Sequence, residues 1–120
     1  MEKTHKDLIV WQEAMNLIEM IYRETKLFPK EEMYGMVSQM RRSAVSVAAN
    51  IAEGNGRRSR REYHHFLEIA NGSLLELETH ILIAERVLLL QSEASEQLQT
   101  QLRLVGRLLG GLMKSLTQNP

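Results

Sequence analysis

A chain of 120 residues with fifteen acidic and fifteen basic side chains is long enough for one buried core, too short for two, and announces no polyanion partner through its overall charge. It has no cysteine, which excludes disulfides, thiolate metal sites and cysteine nucleophiles and suits a reducing cytoplasm. No stretch approaches the roughly eighteen uncharged apolar residues of a membrane span, so the expectation is one soluble, cytoplasmic domain over residues 1–120, with no membrane contact and no cofactor.

Apolar residues recur at helical spacing almost everywhere and nowhere alternate with period two for long, so the expected class is all-α. The first helix, about 7–27, carries Leu8, Trp11, Met15, Ile18 and Tyr22 on one stripe, widened by Ala14 and Ile21. Phe28-Pro29 ends it, because proline disfavours helical geometry in the residue before it. Pro29 suits the first turn of a second helix, about 30–54, whose start is favoured by Glu31 and Glu32. That helix carries Met33, Met36 or Val37, Met40, Ala44, Val47 and Ile51, the methionines being ordinary core or interface fillers. It stops at Gly54, Asn55 and Gly56, residues that tolerate a left-handed backbone.

Ser59-Arg60-Arg61-Glu62 has the form of a capping box, which starts a third helix over about 60–90. Its stripe is Tyr63, Phe66, Ala70, Ser73 or Leu74, Leu77, Ile81, Ala84 and Leu88. Gln91, Ser92 and Glu93 connect it, with Ser92 as cap, to a fourth helix over about 93–116, which carries Leu98, Leu102, Val105, Leu109, Leu112 and Leu116. Four helices joined by short loops imply an antiparallel up-down-up-down four-helix bundle.

If the second and third helices run antiparallel around a turn near residue 57, Ser43 and Ala44 face Asn71 and Gly72. A glycine inside a helix costs about 1 kcal/mol against alanine, so Gly72 is expected at a close backbone approach. Gly106, Gly110 and Gly111 raise the same question with no evident partner. The third helix also carries Ile69, Leu75, Leu82, Ile83, Leu89 and Leu90 beyond its main stripe, more apolar surface than one intramolecular face needs, and self-association would bury it.

The neutral total hides an uneven distribution. Residues 1–40 hold five basic and seven acidic side chains, residues 41–65 six and two, and residues 66–120 four and six. The positive field is therefore concentrated in the middle segment. Arg57, Arg58, Arg60 and Arg61 occupy the turn and the start of the third helix, and Arg41 and Arg42 lie further back on the second. Arginine forks pair bidentately with phosphate, which makes these six the candidate nucleic-acid-binding residues, with Tyr63, His64 and His65 available for stacking or hydrogen bonds. The plainer alternative is that they solvate a turn or pair with Glu53, Glu62 and a neighbouring subunit. Arg60 and Arg61 also oppose the dipole at a helix N-terminus. Asn50 and Glu53 read as structural, Asn50 tying its helix to a neighbour and Glu53 pairing with an arginine.

Enzyme chemistry finds little support. Glu62 to His65 and Glu2 to His5 have the Glu-x-x-His spacing of di-iron bundles, but the first lies in a capping turn and the second precedes the first helix, so no metal site is expected. His80 reads as a boundary histidine. There is no G-x-S-x-G elbow, no P-loop and no dinucleotide fingerprint, and Gly54-Asn55-Gly56 is too short to cradle phosphate.

The order of unlike residues is itself distinctive: Asp7-Leu8 with Trp11, Tyr22 to Phe28-Pro29, Glu32 with Tyr34-Gly35, Gln39 with Arg41-Arg42, Ser46 with Asn50-Ile51-Ala52-Glu53-Gly54, Arg57, Glu62-Tyr63, Phe66-Leu67, and Ala70 with Gly72-Ser73 and Glu76-Leu77. This pattern resembles the four-helix-bundle family named after proteins encoded in 23S ribosomal RNA intervening sequences, over about the first 80 residues. The resemblance implies a left-handed bundle that assembles as a ring-like homopentamer and has no known enzymatic activity. That fold is also similar to the accessory variability proteins of diversity-generating retroelements, basic pentamers that bind nucleic acid and a reverse transcriptase. The expectation is thus a non-catalytic, oligomeric bundle that binds RNA or another nucleic acid as an accessory or ribosome-associated factor. The alternative is a scaffold for a protein partner, with no nucleic-acid contact.

Overall fold

The computed structural model describes residues 3–118, which form four α-helices and, among the described residues, no strand. They are α1 (Ile9–Thr25), α2 (Ser38–Asn55), α3 (Arg60–Arg86) and α4 (Ser92–Thr117). Each packs on its neighbours in the chain, and α4 returns to α1, in a rod of 49 × 23 × 20 Å. Hydrogen bonds join each neighbouring pair. Arg41 of α2 reaches Thr25 of α1, Ser46 of α2 meets Ser73 of α3, Glu85 of α3 meets Ser95 of α4, and Gln101 of α4 returns to Glu13 of α1. The fold is an all-α four-helix bundle.

Its core is built from the expected stripes of α2, α3 and α4. Met40, Ala44, Val47 and Ile51 are buried against Ala70, Leu74, Leu77, Ile81 and Ala84, and against Leu98, Leu102, Val105 and Leu109. The stripe of α1 is turned by about one residue from the expected one. Val10, Ala14, Leu17 and Ile21 are buried, Leu8, Trp11 and Ile18 are half-buried, and Met15 and Tyr22 are exposed. Two apolar rows of equal helical period lie side by side on α1, and only the positions of α2 and α4 select which faces inward.

The helix boundaries depart from the sequence expectation in three places. At the N-terminus, Thr4 and Asp7 form a capping box over a short 3₁₀ turn (His5–Asp7), with the Thr4 N–H donating to Asp7 Oδ2 at 2.9 Å, and extended Leu8 separates this turn from α1. The second helix is not continuous from Pro29. A 3₁₀ turn (Lys30–Glu32) and a wide turn (Met33–Val37) precede α2, and Gly35 leaves helical geometry altogether at φ −110°, ψ −107°. The third helix ends at Arg86 instead of continuing to residue 90. Leu88 adopts the left-handed region at φ 67°, and the chain folds back. Leu89 N–H donates to the Ala84 carbonyl at 2.9 Å and Leu88 N–H to that of Glu85 at 3.1 Å, the two bonds of a Schellman cap. Leu90 is buried by that turn rather than by a helical face, and Leu88, expected on the core stripe, projects into solvent. Gln91, not Ser92, caps α4, through its backbone alone.

The glycines also differ from expectation. None has a positive φ, and Gly56 keeps right-handed geometry at φ −81°, ψ −3°. The residue that must be small is Gly54: a β-carbon there would lie 2.9 Å from Phe66 Cβ and 3.1 Å from the Tyr63 carbonyl oxygen. At Gly72 nothing lies within 4 Å of an added β-carbon. The facing pair at the α2–α3 crossing is instead Ser46 and Ser73, whose hydroxyls lie 2.8 Å apart. Asn50 donates to the Ser46 carbonyl at 2.8 Å, so it reaches α3 only through Ser46.

Candidate nucleic-acid interface

Ser59 is the reason the arginine-rich turn has a defined shape. Its hydroxyl accepts from the Glu62 N–H at 3.1 Å and caps α3, while its own O–H lies 3.3 Å from Glu62 Oε2. The capping box expected here is therefore half made, since Glu62 receives the hydroxyl and not the Ser59 backbone N–H. Because α2 ends at Asn55 and α3 begins at Arg60, only four residues turn the chain. Asn55 steadies the turn by donating to the Tyr63 hydroxyl at 3.2 Å.

The six arginines separate into three environments. Arg57 pairs with Glu53 at 3.6 Å and lies over the Phe66 ring at 4.7 Å, so this guanidinium is committed to the α2–α3 junction. Arg60 donates to the Gln118 carbonyl at 3.4 Å, linking the start of α3 to the end of α4. Arg58 and Arg61 are exposed and make no ion pair or hydrogen bond with the described residues. Arg41 is half-buried, donates from Nε to Thr25 Oγ1 at 3.0 Å and lies over Tyr22 at 4.4 Å, holding α2 to α1. Arg42 is exposed near the start of α2, about 22 Å along the helix from Arg57 by helical rise. The structure thus gathers four of the six and leaves Arg41 and Arg42 towards the other end.

At the turn, the nearby carboxylates are occupied from within: Asp7 by Thr4, Glu53 by Arg57 and Glu62 by Ser59. The His5–Asp7 turn packs on α2 and brings exposed Lys6 to the same end. Sequence reasoning missed Lys6, because it is some fifty residues distant in the chain; the Thr4–Asp7 cap is the only local signal. Beside the turn, a cleft of about 510 Å³ between the start of α3 and the end of α4 is lined by Arg60, Arg61, His64, His65, Glu68 and Thr117. His64 Nδ1 lies 3.8 Å from Glu68. Such an arrangement can hold anionic oxygen ligands by charge and hydrogen bonds.

Among the described residues, no three histidine or acidic side chains gather as a metal site requires. Glu62 serves its cap, and Glu2, in the other Glu-x-x-His spacing, lies outside the described residues. His80 is a boundary residue as expected, 3.4 Å from Glu76, with its Nδ1 buried and unpartnered among the described residues. No helix of the described residues is long and apolar enough to cross a membrane.

Comparison with known proteins adds two findings. The fold is similar to the crystal structure of a protein of unknown function from the S23 ribosomal protein family of Bacteroides thetaiotaomicron VPI-5482, with a TM-score of 0.80 and 22% identity, covering 88% of this chain and 99% of that one. No curated protein matches the sequence. The family model described as 23S rRNA-intervening sequence protein matches residues 6–111, from the N-terminal cap through most of α4, and the chain belongs to that family.

Proposed function

We propose that the protein is a non-catalytic, self-associating bundle that contacts RNA through the arginine-rich end of the rod, as a cytoplasmic accessory or ribosome-associated factor. The observation that carries this reading is the state of the charges at that end. The local carboxylates are engaged within the chain, while Arg58, Arg61 and Lys6 face solvent and make no ion pair among the described residues. RNA is favoured among polyanions by the name of the family, and phosphate contact without base reading is what such a surface offers. Several copies in one assembly multiply a modest patch by avidity.

The test is RNA binding against salt for the variant with Arg57, Arg58, Arg60 and Arg61 all replaced by alanine. Affinity should fall, and the slope of log affinity against log salt should become shallower, by about 0.7 per lost contact to a single strand. Unchanged affinity and slope would refute the reading. A second reading, a scaffold for a protein partner, draws on Arg57 and Arg60, whose guanidinium groups already have partners within the chain. It expects the same variant to keep its RNA behaviour and to change the mass of the assembly.

A further inference from the structure

The cleft beside the arginine turn contains a carboxylate that a surface for phosphate alone would exclude. Along α3, Arg61, His64 and Glu68 follow one another at steps of three and four, so they share one face over two helical turns, about 10 Å. Arg61 opens that face, His64 stands midway and Glu68 closes it, with Leu116 and Thr117 of α4 as the opposite wall. Among the described residues no hydrogen bond reaches the Glu68 carboxylate, and His64 Nδ1, its ionic neighbour, is 3.8 Å away. An ionised carboxylate only accepts. It repels a phosphate, so what it can hold in this cleft is an O–H or N–H that the ligand carries close to its phosphate.

The rest of the cleft suits a nucleotide. Arg61 makes no ion pair or hydrogen bond with the described residues, and Arg60 commits one N–H to the Gln118 carbonyl, leaving its other donors for an anionic oxygen. His65, exposed and set edge-on to Phe66 with ring centroids 5.8 Å apart, offers a ring on which a base can stack. The cleft volume of about 510 Å³ lies within the range of small-molecule sites.

Phosphate, stacking and apolar contacts are common to RNA and DNA, and a donor on a base edge would serve both alike. The donor that only RNA carries is the ribose 2′-hydroxyl. We infer that the cleft seats one ribonucleotide of the bound strand, its phosphate on Arg60 and Arg61 and its 2′-hydroxyl donating to Glu68, so that the site selects RNA over DNA. The inference rests on the RNA contact proposed above and adds which sugar is read, and by which residue. Glu68 weakens the hold on every polyanion through its charge and returns part of that loss to ribose alone. A carboxylate in a basic cleft thereby converts general phosphate affinity into a preference.

Binding of three single strands of one mixed sequence tests this: RNA, DNA carrying uracil in place of thymine, and 2′-O-methyl RNA, which keeps the bases but has no 2′-hydroxyl proton. The native chain should bind RNA about three- to tenfold more tightly than either of the others. Glu68 is exposed and has no hydrogen-bond partner among the described residues, so Glu68→Ala should match the native chain in circular dichroism. It should bind all three strands more tightly and lose the preference. Glu96→Ala removes the same charge near the start of α4, away from the cleft, and should keep the preference. Equal affinity of the native chain for the three strands, or a preference unchanged in Glu68→Ala, would overturn the inference while RNA contact at the arginine end stood. No binding of any strand would overturn that contact itself, and the inference with it.

Discussion

Gly54 of α2 stands so close to Phe66 of α3 that a β-carbon on the glycine would come within 2.9 Å of the phenylalanine β-carbon. The obstruction cannot swing aside, because the next nearest atoms include the Tyr63 backbone carbonyl at 3.1 Å. Gly54→Ala should therefore destabilise the fold by about 1–3 kcal/mol, the usual cost of overpacking, although alanine is the better helix former. Gly111→Ala is the control. It has nothing within 4 Å and should gain up to about 1 kcal/mol from helix propensity. Urea unfolding of the two variants should shift in opposite directions.

Leu88 is the one non-glycine residue with positive φ among those described, and it is 88% exposed. Its side chain adds no packing within the chain to offset the left-handed backbone. Leu88→Gly should raise stability by about 1 kcal/mol. Thermal melting is the measurement, and a lowered midpoint would show that Leu88 contributes something beyond the cap.

Gln101 of α4 donates to Glu13 of α1 twice, to the carboxylate at 2.8 Å and to the backbone carbonyl at 2.9 Å. That bond, with a second from Asn16, holds the Glu13 carboxyl below the ordinary carboxylate value. The charged form is favoured in the folded state, so the contribution is present above the unfolded-state pKa and is lost as pH falls through the lower folded-state value. Glu13→Gln should make stability less steeply dependent on acid, read from urea midpoints between about pH 3 and 7. An acid limb identical to that of the native chain would count against the pairing.

Arg41 and the Arg58–Arg61 pair should separate stability from binding. Arg41→Ala removes a bond to buried Thr25 and a stacking contact on Tyr22, and should cost about 1–2 kcal/mol with RNA affinity unchanged. Arg58→Ala with Arg61→Ala touches no described partner and should leave the melting midpoint within a degree or two, about 0.5 kcal/mol, while weakening RNA binding. The reverse pattern would move the contact surface away from the turn.

Much of this molecule was readable in its residues because helical period, proline and capping hydroxyls act within a few positions of themselves. The stripes of α2, α3 and α4, the Phe28-Pro29 break and the Ser59 cap are of that kind, and so is the cluster of arginines at the turn. Other features depend on residues far apart in the chain. The choice between two apolar rows on α1, the need for glycine at position 54 and not 72, and the company of Lys6 at the arginine turn were decided by where neighbouring helices lie. So was the division of the arginines: Arg41 serves the α1–α2 contact because Thr25 and Tyr22 are within reach, and Arg58 and Arg61 have no partner among the described residues because the nearby carboxylates are already bonded. A sequence specifies which side chains are able to pair, and tertiary distance, on which both packing and Coulomb energy depend, decides which of them do.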